Sequence, residues 1–327
     1  MMELEQHRGE GIELLRRMKR IRLVEEAIAA RYGEQEMRCP VHLSIGQEGV
    51  AAAAGMTLSP RDTVFSTHRC HAHYLGCNGD LKAMLAELHG KAAGCTGGRG
   101  GSMHLYGNRE GLFASTAIVG NSIPLAAGAA LAHQLQSSGQ VSAVFFGDAG
   151  VEEGVFHETV NFAVLKRLPV IFICENNLYS VYTHLRDRQP EGRRIADWVA
   201  GSGIPTVTGD GNDAWATYGA LRDGVHRVRA GGGPVFFEFS TYRWREHCGP
   251  NYDNDLGYRT EQEFLDWKKL DPVVRLQARL LEADMLGPDE LARMETEMVA
   301  EIRKAFDFAR AAPFPPEEEA FTKLFAP

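Results

Sequence analysis

The sequence predicts an α/β fold, a mostly parallel sheet between helix layers with helical extensions at both ends. Three observations carry that prediction. Apolar runs of strand length, at 141–146, 170–174 and 235–239, are continuous rather than alternating, as in strands covered on both faces. A helix-length segment, 153–166, separates the first two and makes a strand–helix–strand crossover. The 327 residues, 44% hydrophobic, can bury a substantial core.

In chain order, residues from about Gly11 to Arg31 read as a helix, because Ile12, Leu15, Ile21, Val24 and Ile28 recur at helical spacing. Leu81, Met84, Leu85 and Leu88 mark a short amphipathic helix. The stretch 94–104 (GCTGGRGGSMH) holds too many glycines for helix or strand and is expected to be a loop. Residues 124–133, rich in Ala and Gly, suit a helix packed closely on a neighbour. The strand at 170–174 is entered through Leu168-Pro169. Near the end, Gly287-Pro288-Asp289 starts a helix with Pro at a tolerated early position. Leu291, Met294, Met298, Ile302, Ala305 and Ala309 run down one face of it, and Pro313, Pro315 and Pro316 stop it. No repeat or long linker intervenes. The expectation is one domain over 1–327, with helical extensions at about 1–35 and 261–311.

Composition excludes some classes. A net charge of −8 disfavours nucleic acid, whose phosphates need clustered Lys and Arg. No apolar run approaches the roughly 20 residues of a membrane span. The start, Met1-Met2-Glu3-Leu4-Glu5, lacks the basic and apolar regions of a secretory signal. The six cysteines form no C-x-x-C pair, so reduced thiols in a cytoplasmic protein are the simplest reading.

Chemistry concentrates between Val141 and Ser180. One strand ends in Gly147-Asp148, and after the crossover a second ends in Glu175-Asn176-Asn177-Leu178-Tyr179. Right-handed crossovers return the chain parallel to its start, so Asp148 and Asn177 meet at the carboxyl edge of one sheet, where open α/β sheets bind ligands. A carboxylate beside a carboxamide suits Mg²⁺, with a diphosphate completing the coordination. The helix beginning near Glu153 favours an anion at the same place. A capping aspartate and a turn asparagine explain the two residues equally well.

The wider pattern resembles a known family. Asn177 follows Asp148 by 29 positions, as in the thiamine diphosphate motif. Around it, Glu153-Gly154-Val155-Phe156-His157-Glu158, Asn161-Phe162-Ala163, Leu168-Pro169-Val170 and Glu175 to Tyr179 are similar to alpha subunits of pyruvate and acetoin dehydrogenases, the decarboxylating components of 2-oxo acid dehydrogenases. His42-Leu43, Gly46-Gln47-Glu48, Gly100-Gly101-Ser102-Met103-His104, Ile118-Val119-Gly120, Thr241-Tyr242-Arg243 and Asp271-Pro272-Val273 extend the match over nearly the whole chain.

The resemblance implies a thiamine diphosphate-binding fold and specific roles. Asp148, the Asn177 side chain and the Tyr179 carbonyl would hold Mg²⁺. His68 and Arg69 would face the diphosphate, with Ala149 and Gly150 beside it, and the backbone at Ala117 and Val119 would meet the aminopyrimidine. His42 and His247 match catalytic histidines near the substrate. A beta subunit would supply the pyrimidine half-site and the activating glutamate, in an assembly of two alpha and two beta chains. The implied reaction is oxidative decarboxylation of a pyruvate-like 2-oxo acid or acetoin, with acyl transfer to a lipoyl carrier and possible partnership with a lipoyl-bearing acyltransferase. Alternatives are a thiamine diphosphate-dependent carbon–carbon transferase and a non-catalytic partner subunit.

The chain departs from the family pattern in four places. Ala149 replaces a glycine, Glu152 stands where Asn is common, His68 replaces Tyr, and Cys248 stands where regulated relatives carry a phosphorylated serine. Gly209-Asp210-Gly211 is a decoy, with Phe239 at the 29th position, and 209–213 is expected to be a turn into a helix. The group His68, Cys70, His71, His73 and Cys77 fits no standard zinc spacing. Arg99 and His104 could approach phosphate or lie in a packed loop. Residues 243–258 read as a mobile lid, and Glu48 as structural.

Overall fold

The computed structural model describes residues 4–107 and 112–322, so Met1 to Glu3 of the expected N-terminal extension lie outside the described residues. The strands are β1 (Thr63–Ser66), β2 (Leu112–Ser115), β3 (Ser142–Gly147), β4 (Val170–Asn176), a short antiparallel hairpin of β5 (Tyr179–Ser180) and β6 (Thr183–His184), then β7 (Thr206–Asp210) and β8 (Val235–Ser240). The main sheet has six strands in the order β2-β1-β3-β4-β8-β7, and every pairing in it is parallel.

The helices are α1 (Arg8–Arg31), α2 (Glu48–Thr57), α3 (His71–Gly76), α4 (Leu81–Leu88), α5 (Ser122–Leu135), α6 (Gly154–Lys166), α7 (Leu185–Arg188), α8 (Ile195–Ala200), α9 (Ala214–Arg227), α10 (Glu261–Lys268), α11 (Pro272–Glu282) and α12 (Pro288–Ala311). They form the two layers that the unbroken apolar strands demand. On one face Ala143, Phe145, Ile171, Ile173 and Phe237 pack with α1, α2, α4, α9, α11 and α12. On the other, Val144, Phe146, Val170, Phe172, Cys174 and Phe236 pack with α5, α6 and α8. Alternate residues of one strand thus serve opposite cores, which is why no hydrophobic alternation survives.

Close helix contacts rest on glycine. A Cβ on Gly55 of α2 would lie 1.8 Å from the Gly76 carbonyl oxygen at the end of α3, so only glycine permits this approach. Helix α5 buries Ile123, Ala126, Ala127 and Ala130 in the second core, as its small residues suggested.

The long elements lie where expected. Three strands of the main sheet were not legible: β1 and β2 are four residues each, and β7 has the polar pattern of an edge, with Val207 exposed. The decoy needs correcting in part. Gly209 and Asp210 end β7, and only 211–213 form the turn into α9. Among the described residues no helix is long and apolar enough to cross a membrane.

Candidate active site

The chain leaves β1 toward β2 on one side and β3 toward β4 on the other. Such a divergence opens a crevice beyond the carboxyl ends of the strands. A cavity of about 230 Å³ lies there, and every site residue expected from the sequence lines it. His68 and Arg69 follow β1, Ala117 and Val119 follow β2, Asp148, Ala149 and Gly150 follow β3, and Asn177 and Tyr179 follow β4. His42 and His247 arrive on loops outside the sheet. Those loops are tied together, since Gly249 N–H donates to the Val41 carbonyl at 2.8 Å and His42 bridges to Gly249.

Asp148 is 1% exposed and caps no helix; its carboxylate meets the guanidinium of Arg188. Burial pushes its pKa up, and the Arg188 charge opposes that shift. The same guanidinium reaches Glu152 at 2.5 Å, and Gln189 Nε2 donates to Glu152 at 3.1 Å. The departure at Ala149 costs the backbone nothing, because Ala149 sits in a helical turn and not at positive φ.

The Asn-Asn pair builds its own turn. Asn176 Oδ1 accepts from Leu178 N–H and Asn177 Oδ1 from Tyr179 N–H, both at 3.1 Å. These bonds hold Leu178 at φ +72°, a left-handed conformation that costs a branched side chain about 1–2 kcal/mol. Asn177 Nδ2 donates to Gln47 at 3.3 Å, which orients the amide and leaves Oδ1 a second lone pair.

Arg69 is buried, and its guanidinium donates to the backbone carbonyls of Leu43 (2.6 Å) and His247 (3.1 Å). Among the described residues no carboxylate lies within ion-pair distance of it. Burial, and then the neighbouring Arg243 charge, pull its pKa down to about 9. Its guanidinium also lies 3.5 Å from His247 Nδ1, and a buried cation held only by neutral groups calls for an anion.

His42, His68 and His247 form a cluster, with ring centroids 4.8–5.2 Å apart. Burial first, then the Arg69 charge, lower their pKa values to about 2, 4 and 3 respectively. All three rings are therefore neutral at pH 7. Folded-state values below the unfolded 6.5 mean that the unfolded chain binds more protons below that pH. Their contribution to stability is complete above pH 6.5 and is lost progressively as pH falls from there toward the folded values of about 4, 3 and 2. Unfolding at pH 5 should take up about three protons through these rings. Denaturant midpoints at pH 5 and 7 check this, and H68Y, which removes one of the three rings, should reduce the difference by roughly a third.

Several neighbours have structural duties. His71 bonds Glu25 and Ser102, both at 2.8 Å, and Cys70 donates to the Ser102 carbonyl, so neither offers a metal ligand. Arg99 donates to carbonyls of Glu319 and Thr322, away from the cavity. The 243–258 segment is pinned at its base, where buried Asp253 meets Arg259 and accepts from Tyr258 at 2.5 Å. Sequence reasoning missed Arg188 and Gln47. The signal for Arg188 was Glu152, an added carboxylate that needs a counter-charge.

Residues 16–318 match the family model described as dehydrogenase E1 component, and the chain belongs to that family. It is thus of the oxidoreductase class that the sequence led one to expect. Relatives at this level of similarity carry more specific names. The pyruvate dehydrogenase E1 component subunit alpha of Zymomonas mobilis is 38% identical over 97% of this chain and 89% of its own length. The alpha subunits of acetoin:2,6-dichlorophenolindophenol oxidoreductase from Cupriavidus necator and Bacillus subtilis are each 34% identical. They align over 96% and 95% of this chain and over 93% and 92% of their own lengths.

Proposed function

We propose that this chain is the alpha subunit of a thiamine diphosphate-dependent 2-oxo acid dehydrogenase, acting in the cytoplasm on a pyruvate-like acid or acetoin. The observation that carries this reading is Arg69, a buried cation with no carboxylate partner among the described residues, facing the cavity that Asp148 and Asn177 share. The donor set fits the cofactor: a cation for a diphosphate, and a carboxylate beside a carboxamide oxygen for a hard divalent ion. Asp148, the Asn177 side chain and the Tyr179 carbonyl would hold Mg²⁺. Arg69 and His68 would hold the diphosphate, with Ala149 and Gly150 against it, and the backbone at Ala117 and Val119 would meet the aminopyrimidine. The reading takes 1–327 as one diphosphate-binding domain.

When bound, thiamine diphosphate supplies the carbanion and electron sink that decarboxylation requires. The protein's part is orientation and hydrogen bonding. His42 and His247, kept neutral beside Arg69, can each donate one N–H to developing negative charge at the substrate. Converting either to imidazolium beside Arg69 is opposed by burial and like charge, so each stays a neutral hydrogen-bonding ring at pH 7.

A beta chain is proposed to close the site. Val119, which lines the cavity, is 44% exposed and the adjacent Ile118 65%, and Phe113, Tyr106 and Leu125 are also exposed. So much exposed apolar surface suits a protein partner. The acyl group would pass to a lipoyl carrier on an acyltransferase. Calorimetry of thiamine diphosphate against the chain co-expressed with its beta chain tests the proposal. Binding that requires Mg²⁺ is the expected result; an intact complex that binds none would leave a non-catalytic partner.

A further inference from the structure

Arg188 lies on the short helix α7, beyond the β5–β6 hairpin, yet its side chain turns back into the crevice. There it is only 11% exposed and is held from three directions. One guanidinium nitrogen meets Asp148, a second meets Glu152 at 2.5 Å, and Nε donates to the Thr183 carbonyl at 3.2 Å. Gln189, the next residue, donates to the same Glu152 oxygen. Glu152 keeps part of its side chain in solvent, at 30% exposure, whereas that of Asp148 has 1%. The buried carboxylate proposed to hold the divalent ion is therefore already neutralised by the chain's own cation.

We infer that Arg188 is an internal counter-cation that competes with the divalent ion for Asp148, and that Glu152 is the carboxylate that keeps Arg188 when the ion takes its place. This rests on the proposed role of Asp148 in metal binding. A guanidinium and a divalent ion drawn to one buried carboxylate repel each other strongly where water is excluded, so each weakens the other's hold on Asp148. Losing Arg188 altogether would leave Asp148 and Glu152 as uncompensated neighbours. The Glu152 contact avoids both outcomes: a small displacement of the guanidinium frees Asp148 and preserves one ion pair. Glu152, which departs from the family pattern, and Arg188, which no motif predicts, thereby become one device. Together they set how tightly the site takes a divalent ion.

Mn²⁺ binding to the full chain without thiamine diphosphate, followed by the paramagnetic resonance of the free ion, tests this without an activity readout. R188M should tighten Mn²⁺ binding by at least about tenfold relative to wild type, through loss of the competing charge. E152Q should weaken it in wild type, where Arg188 is thrown wholly onto Asp148, and do so by a clearly smaller factor in the R188M background. R188Q, closer in shape and polarity, replaces R188M if the latter does not fold by circular dichroism. D148N identifies the ion's site. Binding that D148N removes, but that R188M leaves unchanged or weaker, overturns the inference while the metal reading stands. Binding indifferent to D148N in every variant, or no binding in any, fails the metal reading and takes this inference with it.

Discussion

Asp148→Ala is expected to abolish Mg²⁺-dependent binding of thiamine diphosphate and to lower turnover of the assembled enzyme by about a thousandfold. That factor corresponds to the several kcal/mol a bound metal ion contributes through charge stabilisation and positioning. The fold should survive. Burial already disfavours the Asp148 charge, and Arg188 retains Glu152 when Asp148 is removed. Denaturation should therefore shift by no more than about 1 kcal/mol. Steady-state turnover with the beta chain, set beside a denaturant titration of the same variant, separates a lost site from a lost fold. Unchanged turnover would remove Asp148 from the catalytic reading.

Arg22→Met is expected to have the opposite signature, a large loss of stability in a residue outside the cavity. Arg22 grips Glu48 with two nitrogens, at 2.5 and 2.9 Å, and Asp271 with two more contacts at 3.1 Å. Its guanidinium also lies 4.2 Å from the centre of the Trp244 ring. The group ties α1, α2 and α11 together, since Glu48 opens α2 and Asp271 caps α11. Glu48 is fully buried, so removing Arg22 strands a carboxylate in the core and should cost about 3–5 kcal/mol. Arg20, two residues earlier, pairs with Glu301 at the surface and provides the control. Arg20→Met should cost less than about 1 kcal/mol in the same denaturant titration. A double variant that also carries Glu48→Gln should recover part of the Arg22→Met loss.

How much of this was readable in advance depends on the kind of signal. The helices α1, α4, α6 and α12 and the strands β3, β4 and β8 were legible because each repeats its pattern long enough to rise above chance. Strands β1 and β2 are too short for any period, and both are defined by their neighbours in the sheet. The meeting of Asp148 and Asn177 at one sheet edge was legible, since they follow adjacent parallel strands in register, Gly147 opposite Glu175. Arg188 was not legible. Its place depends on the path of a hairpin and a four-residue helix, and nothing in a string of charged residues tells which one folds inward. The resemblance implied that His42, His68 and His247 share one site, but not that their rings touch, which depends on a backbone bridge between distant loops.

The glycine-rich loop at 94–104 has the composition of a phosphate cradle, yet its amides are already engaged. The backbone N–H groups of Thr96, Gly98, Gly100 and Gly101 all donate to the Glu87 carboxylate, at 2.7–3.0 Å. A Cβ on Gly94 would come within 2.2 Å of the same group. Glu87 is thus the resident anion of a nest that the chain fills for itself. A loop preloaded in this way has nothing to gain by moving toward a phosphate. It acts as a strut, its shape set at folding, and it gives the wall beside Met103 and His104 a rigidity that so many glycines would otherwise deny it.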